Sequence, residues 1–197
     1  SAFILLGVAF FPRVVELQKP YHDRKEIRNP LQTNAMRLDD EWCAFFKEND
    51  FLVGVSLDGP REIHDRYRRD RKGAGTFDRV MAGVETLKRH GVEFNVLACV
   101  GRETAYEPLA VYRFFKEIGA RYIQFTPIVE READTETKAI RFWLARPSAL
   151  DRPEPNTRVT PWTVEPEAYG DFLIAIYEGR VRRDVGTTFM MNFEGAL

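Results

Sequence analysis

The chain has 197 residues, of which 44% are hydrophobic and 13% aromatic, enough for one ordinary domain with a packed core. Its 29 basic and 30 acidic residues leave a formal net charge of −1, which argues against a generally basic surface for nucleic acid. There is no run of about 18 apolar residues and no charged leader before an apolar segment, so we expect neither membrane insertion nor export and place the protein in the cytoplasm.

The first half of the chain alternates between helix and strand patterns. Apolar residues at helical spacing predict a helix over residues 9–19, and a strand is predicted over Ile27–Thr33. The next helix is expected to open at Asp39 or Asp40, whose carboxylate can cap it. A β-branched and aromatic run predicts the second strand over Phe51–Leu57.

The same rhythm continues after a polar loop rich in arginine and glycine. A helix is predicted over Phe77–His90, where Gly91 suits the left-handed residue that ends it, and a strand over Val92–Val100. Proline suits a first helical turn, so a further helix is predicted over Pro108–Ile118, and a fourth strand over Tyr122–Val129.

Residues 130–165 break this rhythm, because they are proline-rich and highly charged and show no clean period. We expect a loop insertion there. A helix is predicted from Pro166 onward, and Thr187–Met191 resembles a final strand.

Alternating strands and helices with short links predict an α/β fold with parallel strands, either a barrel or a doubly wound sheet. About five strands are too few for a closed eight-stranded barrel. We therefore expect residues 1–197 to form a partial (β/α) barrel of the TIM-like kind that is incomplete at both ends.

Polar residues end two of the predicted strands. Ser56 and Asp58 could bind ribose hydroxyls or an amine, although the sequence Asp-Gly-Pro also makes a turn without any ligand. Gln32 and Asn34 could bind the backbone of a substrate or cap the next turn. The basic run 66–72 is better explained as a solvated loop than as a phosphate site, because acidic residues dilute it.

Only two cysteines occur, Cys43 in a predicted helix and Cys99 in a predicted strand. Neither has a Cys or His neighbour at the spacing of a metal site, so we expect both to be buried and predict no metal ligand and no catalytic residue in the chain.

Taken together, these segments resemble the radical S-adenosylmethionine (SAM) enzymes with a cysteine-rich C-terminal extension (SPASM type), and among them the anaerobic sulfatase-maturating enzymes. The segments that carry the resemblance are Phe10-Phe11, Val14–Gln18, Gln32-Thr33-Asn34, Trp42, Phe51–Gly54, Ser56–Pro60, His64–Arg68, Gly75–Phe77, Gly91–Asn95 and Tyr169–Ile174. One departure is Ala35, which stands where the family has glycine.

The resemblance implies a radical SAM barrel and a set of cofactor contacts. Ser56, Asp58 and Arg68 are then expected to bind SAM, with the Arg68 guanidinium on the methionyl carboxylate. Val129 is expected to lie against the adenine, although a core strand residue fits that pattern equally well. Gln32 and Asn34 are expected to contact the substrate.

The implied reaction is the oxidation of a Cys or Ser to formylglycine within an unfolded sulfatase segment. In the family, a reduced [4Fe–4S] cluster cleaves SAM to a 5′-deoxyadenosyl radical that removes a Cβ hydrogen, and a donor such as ferredoxin or flavodoxin supplies the electrons. The alternatives are another peptide-modifying radical SAM enzyme, a degenerate barrel that binds a peptide or partner, and a non-radical metabolic barrel enzyme.

Three family parts are not found in these 197 residues: the Cys-x3-Cys-x2-Cys loop, the Gly-Gly-Glu-Pro motif and the C-terminal cysteines. The cluster needs three thiolates. We therefore expect the chain to be a piece of a longer enzyme and to be inactive alone.

Overall fold

The computed structural model describes residues 4, 7–21, 24–133 and 158–194. Its centre is a five-stranded parallel sheet in which strand order follows chain order from β1 to β5. The elements are α1 (Phe11–Gln18), β1 (Asn29–Thr33), α2 (Asp40–Glu48), β2 (Phe51–Ser56), α3 (Arg61–Tyr67), α4 (Phe77–Arg89), β3 (Phe94–Val100), α5 (Pro108–Glu117), β4 (Tyr122–Pro127), α6 (Pro166–Arg183), β5 (Phe189–Met190) and α7 (Met191–Glu194).

This topology confirms the predicted α/β fold with parallel strands. Each strand pairs with the next one along the chain, which is the order of a (β/α) barrel wall. Within the part of the chain that the structure describes, the sheet is open, with β1 and β5 at its edges. A partial barrel therefore describes the architecture.

The two faces of the sheet differ in burial. In β3 the side chains of Phe94, Val96, Ala98 and Val100 are buried, whereas those between them are partly exposed. A parallel strand that is covered on both sides is buried throughout. Helices therefore cover one face of this sheet, and the other face lines an open cleft.

An aromatic cluster packs on the helix-covered face of the sheet, between α1, α2 and β2. Phe11 packs edge-to-face on Trp42 at 5.3 Å between ring centroids and on Phe51 at 6.0 Å. Phe46 is fully buried beside them. Such rings bury large apolar areas and fix α1 and α2 against β2.

Several local sequence signals act as predicted. The Asp39 carboxylate accepts a hydrogen bond from the Trp42 amide at 3.0 Å and caps α2. Gly91 and Gly119 have φ values of 63° and 81° just after α4 and α5, which is the left-handed conformation that ends many helices.

The helix α3 was not predicted, since its seven residues fall in the segment interpreted as a polar loop. Pro60 provides its N-cap, and only Ile63 and His64 are buried. About two helical turns with two buried residues give too little periodicity for detection from sequence.

Residues 134–157, most of the expected loop insertion, lie outside the described residues. The residues on either side of this segment are paired, because Arg131 and Val159 form an antiparallel bridge. The Glu132 amide donates to the Arg158 carbonyl and the Thr160 amide to the Glu130 carbonyl, both at 2.9 Å. No helix among the described residues is long and apolar enough to cross a membrane.

Candidate functional site

The polar residues predicted at strand ends lie along the carboxyl edge of the sheet, on its open face. Ser56 is the last residue of β2, and Gln32 lies one residue before the end of β1, beside Gly54 in the strand register. Parallel strands place such residues at one rim, the usual place of ligand contacts in (β/α) barrels. The open cleft and this rim form the candidate site.

Gln32 and Ser56 are brought together across β1 and β2. The Gln32 amide nitrogen donates to the Ser56 hydroxyl at 2.9 Å. Gly54 makes room for this contact, since a Cβ there would lie 2.6 Å from Gln32 Oε1. The missing side chain therefore lets Gln32 lie flat across the sheet and present its amide to the cleft.

Asp58 and Arg68 form a two-pronged ion pair at the rim. Arg68 Nε donates to Asp58 Oδ2 at 2.5 Å, and Nη2 donates to Oδ1 at 2.8 Å. The Asp58 side chain is 8% exposed and that of Arg68 is 29% exposed. Parallel hydrogen bonds of this kind fix the orientation of the guanidinium as well as its position.

The Asp58 carboxylate also ties β2 to β3. Its Oδ1 accepts the Cys99 backbone N–H at 2.9 Å, and Arg68 Nη2 lies 3.6 Å from the Cys99 sulfur. Burial lowers the pKa of Arg68, but the hydrogen bonds and charge of Asp58 outweigh it and the net pKa is raised. The guanidinium is therefore a permanent cation at the rim.

Cys99 differs from the expectation that both cysteines are buried. Cys43 is fully buried, but Cys99 is partly exposed because it belongs to the open face of β3. Burial and the charge of Asp58 raise the pKa of the Cys99 thiol, against the effect of Arg68. Among the described residues, no three His, Cys, Asp or Glu side chains come together as a metal site.

Asn34 lies in a turn that follows β1. Its side-chain oxygen accepts the Met36 amide at 3.4 Å, which is the local contact of an Asx-turn. The next residue, Ala35, is fully buried with φ 55°. Glycine adopts this left-handed conformation more readily than alanine does.

Val129 follows β4 and is 66% exposed. Its neighbour Ile128 is held on both sides, since its amide donates to the Val100 carbonyl at 2.9 Å and its carbonyl accepts the Val164 amide at 3.0 Å. Val129 thus projects from a fixed backbone. An exposed apolar side chain beside a polar rim can pack on the flat face of a ligand ring.

Two further residues belong to this site although they received no role from the sequence. His64 and Thr76 lie directly behind the Asp58–Arg68 pair and are both buried. Their signal was present in the sequence, because both belong to the segments that carry the family resemblance. No pattern of spacing indicated that the two side chains meet.

The geometry suits a ligand that carries a carboxylate and a flat ring. The hydrogen bonds of Arg68 involve Nε and Nη2, which leaves its Nη1 group as a further donor. Ser56 adds a hydroxyl, and Val129 adds an apolar surface. Together they offer contacts to a carboxylate, to a hydroxyl-bearing group and to an apolar ring, whereas the two cysteines do not supply the three thiolates that a [4Fe–4S] cluster needs.

The chain is similar in sequence to known proteins. The chain is 43% identical over 194 residues to the serine-type anaerobic sulfatase-maturating enzyme of Bacteroides thetaiotaomicron, covering 98% of this chain and 45% of that protein. It is 44% identical over 123 residues to the cysteine-type anaerobic sulfatase-maturating enzyme of Clostridium perfringens (strain 13 / Type A), covering 62% of this chain and 33% of that protein.

Two solved structures also superpose on this chain. "Native anSMEcpe with bound AdoMet" superposes with a TM-score of 0.74 and 30% identity, over 97% of this chain and 48% of that chain. "Native anSMEcpe with bound AdoMet and Cp18Cys peptide" superposes with a TM-score of 0.77 over the same shares. The chain therefore spans less than half the length of these relatives.

Residues 5–115 match the family model described as "Radical SAM superfamily". This match covers more than half of the chain and includes the Gln32–Ser56 contact and the Asp58–Arg68 pair. The chain belongs to the radical SAM superfamily.

Proposed function

We propose that this chain is the cofactor-binding part of the barrel of an anaerobic sulfatase-maturating enzyme, which oxidises a Cys or Ser of a sulfatase to formylglycine. The observation that carries the proposal is the rim of Ser56, Asp58 and Arg68 in a fold that superposes on AdoMet-bound anSMEcpe over 97% of its length. The activity belongs to the complete protein.

In this proposal the rim residues bind SAM. Arg68, oriented by Asp58, donates to the methionyl carboxylate, because a guanidinium matches a carboxylate by directed hydrogen bonds. Ser56 offers a hydroxyl to the cofactor, and Val129 packs against the adenine. Reductive cleavage of the bound SAM supplies the radical that removes hydrogen from the substrate.

Gln32 and Asn34 are proposed to bind the peptide backbone of the unfolded sulfatase segment. A solved relative contains both AdoMet and the Cp18Cys peptide, which supports a peptide partner for this fold. Gln32 is exposed at the cleft and keeps its carbonyl oxygen for a peptide N–H, since its amide nitrogen already contacts Ser56. Asn34 keeps its side-chain NH₂ as a donor, since its oxygen accepts the Met36 amide.

The [4Fe–4S] clusters require thiolates that the two cysteines of this chain do not provide. We therefore propose that the 197 residues alone are inactive, and that in the complete protein a donor such as ferredoxin or flavodoxin reduces the clusters. A cytoplasmic location is proposed as well, because such a cluster needs a reducing compartment.

The main alternative is a degenerate barrel that binds a peptide or a partner protein. It is favoured by the closed Asp58–Arg68 pair, in which each charge already satisfies the other within these residues. Another peptide-modifying radical SAM enzyme would use the same barrel and differ in its remaining domains.

The test uses the complete gene product with its clusters reconstituted under anaerobic conditions. Dithionite, SAM and a peptide with the sulfatase sequence around its target Ser or Cys are added, and mass spectrometry follows the peptide. Conversion of the serine peptide with loss of two hydrogen atoms, with 5′-deoxyadenosine formed in step, supports the proposal. Peptide binding by calorimetry without iron, and no 5′-deoxyadenosine, would instead establish the binding module.

A further inference from the structure

His64 is a fully buried histidine behind the rim, and one of its ring nitrogens is an acceptor. The Asp58 backbone N–H donates to His64 Nδ1 at 3.4 Å. Nδ1 therefore carries the lone pair, and the ring proton of the neutral form lies on Nε2. Burial lowers the pKa of His64, outweighing Asp58 and Asp65, which raise it, while Arg68 lowers it further.

Thr76 continues the chain of hydrogen bonds from the other side of the ring. Its Oγ1 lies 3.0 Å from His64 Nε2 and donates its own proton to the Arg68 carbonyl at 2.8 Å. With the proton on Nε2, each link has one donor and one acceptor. The chain runs from the Asp58 N–H through the ring and the hydroxyl to the Arg68 backbone.

Arg68 needs such support because its backbone is not part of a regular element. It follows the last residue of α3 with φ −92° and ψ 82°, and the Arg69 amide donates to the Tyr67 carbonyl at 3.2 Å. This is the geometry of an inverse γ-turn, a weak structure by itself. The Thr76 hydroxyl holds this turn, and the Asp58 carboxylate holds the guanidinium at the other end of the same side chain.

We propose that His64 and Thr76 are positioning residues that hold the Arg68 guanidinium in the orientation required to bind the carboxylate of the cofactor. The inference rests on the proposed function, which assigns Arg68 to SAM. His64 and Thr76 do not contact the cofactor in this arrangement. They act through the backbone of Asp58 and of Arg68.

The experiment compares SAM with decarboxylated SAM, which lacks only the carboxylate, on the cluster-loaded complete gene product. Calorimetry gives the two Kd values, and their ratio measures recognition of the carboxylate. Thr76→Val removes the hydroxyl at nearly constant volume. A misoriented Arg68 guanidinium would lose about one charge-assisted hydrogen bond to the carboxylate, so the preference is expected to fall about tenfold. Thr76→Ser keeps the hydroxyl and should restore the preference to within about twofold of wild type.

Thr86→Val is the matched control. Thr86 is also a buried threonine, and its hydroxyl donates to the Ala82 carbonyl at 3.0 Å within α4 rather than to a rim residue. Its carboxylate preference should stay at the wild-type value. Equal weakening of both ligands by Thr76→Val would mean a merely structural role and would overturn the proposal.

Arg68→Gln tests the assignment of Arg68 to SAM separately from the positioning role of Thr76. If Arg68→Gln leaves the carboxylate preference unchanged, the assignment of Arg68 to SAM fails. If Arg68→Gln lowers it and folded Thr76→Val does not, only the positioning role fails. Should Thr76→Val not fold, nitrogen NMR of the unmutated protein decides, because a charged His64 ring or a proton on Nδ1 would refute the hydrogen-bond chain.

Discussion

The carboxylate of Asp65 occupies the space into which a side chain at Gly75 would point. A Cβ on Gly75 would lie 2.3 Å from both Cγ and Oδ2 of Asp65. Asp65 Oδ1 accepts the backbone amides of Thr76 and Phe77 at 2.7 and 2.9 Å, which are the first donors of α4. One glycine therefore permits a helix cap that also fixes Thr76 behind the rim.

Gly75→Ala is accordingly expected to displace this cap. Overpacking and the loss of two amide contacts should lower the free energy of unfolding by about 2 kcal/mol. Urea denaturation measures the change. Gly170→Ala is the control, because a Cβ there meets nothing within 4 Å in α6 and alanine favours a helix. Equal stability of Gly75→Ala and wild type would contradict the claim that the helix cap needs the Asp65 carboxylate to lie against Gly75.

Gly54→Ala tests the contact between Gln32 and Ser56. The new Cβ would lie 2.6 Å from Gln32 Oε1 and 2.9 Å from Leu97 Cδ1, both ends of flexible side chains. We expect the protein to remain folded while the Gln32 amide is displaced. If Gln32 binds the peptide backbone, the KM for the peptide should rise at least fivefold with kcat nearly unchanged, the result of lost uniform binding.

Gln32→Leu provides the comparison for this prediction, since it removes the amide without any change at position 54. The two variants should shift KM similarly, and the double variant should add little because both act through one contact. Additive effects would show that Gly54 acts on the site independently of Gln32.

The sequence predicts the elements well where the period is long and the caps are strong. α4 and α5 end two residues before Gly91 and Gly119, whose left-handed conformations follow the helix ends, and the Asp39 cap starts α2. The strand order follows from short links and right-handed crossovers. α3 escapes prediction because it is short and mostly polar, so only its tertiary contacts define it.

The site could be predicted as a set of residues but not as a network. Ser56 and Gln32 become candidates because polar residues at parallel strand ends converge on one rim, whereas Arg68 becomes one only through the family resemblance. Nothing in the spacing indicates that Asp58 pairs with Arg68, which is ten positions away, across an intervening helix. The link from His64 to Thr76 likewise depends on the path of the loop between α3 and α4.

Asp184 connects α6 with α5 and should make stability depend on acid pH. Lys116 Nζ donates to both carboxylate oxygens at 2.7 and 2.8 Å, and the Tyr112 hydroxyl donates to Oδ2 at 2.8 Å. The Lys116 hydrogen bonds lower the pKa of Asp184 below its ordinary 3.8; burial opposes this and the Tyr112 hydrogen bond adds to it. The folded state therefore binds fewer protons here than the unfolded state, and its stabilisation is present above about pH 4 and lost below it.

Lys116→Met should thus reduce the free energy of unfolding at neutral pH and converge on wild type as the pH falls below about 4. Denaturation at a series of pH values measures this convergence. Lys88→Met is the control, because Lys88 pairs with Glu85 on the exposed surface of α4, where ion pairs contribute little. A difference from wild type that stays constant through the acid range would argue that Lys116 contributes packing alone.

His64 should give a second pH dependence, near neutrality. Burial is the main cause that lowers the pKa of His64 from its ordinary 6.5, so the folded state binds fewer protons than the unfolded state as the solution is acidified. The stabilisation is complete above about pH 6.5 and is lost as the pH falls toward the lower folded pKa. Protonation would also turn Nδ1 into a donor that faces the Asp58 N–H.

Unfolding free energies measured between pH 7.5 and 5 should therefore decline in the wild type, and the decline should be smaller in His64→Gln, which has no imidazole to protonate. His90→Gln is the control, since His90 lies at the surface beside Asp40, and it should retain the decline that His64 causes. SAM affinity should fall over the same range, because the turn that holds Arg68 loosens when the ring is charged. An identical decline in His64→Gln and wild type would mean that the pKa of His64 does not differ between the folded and unfolded states.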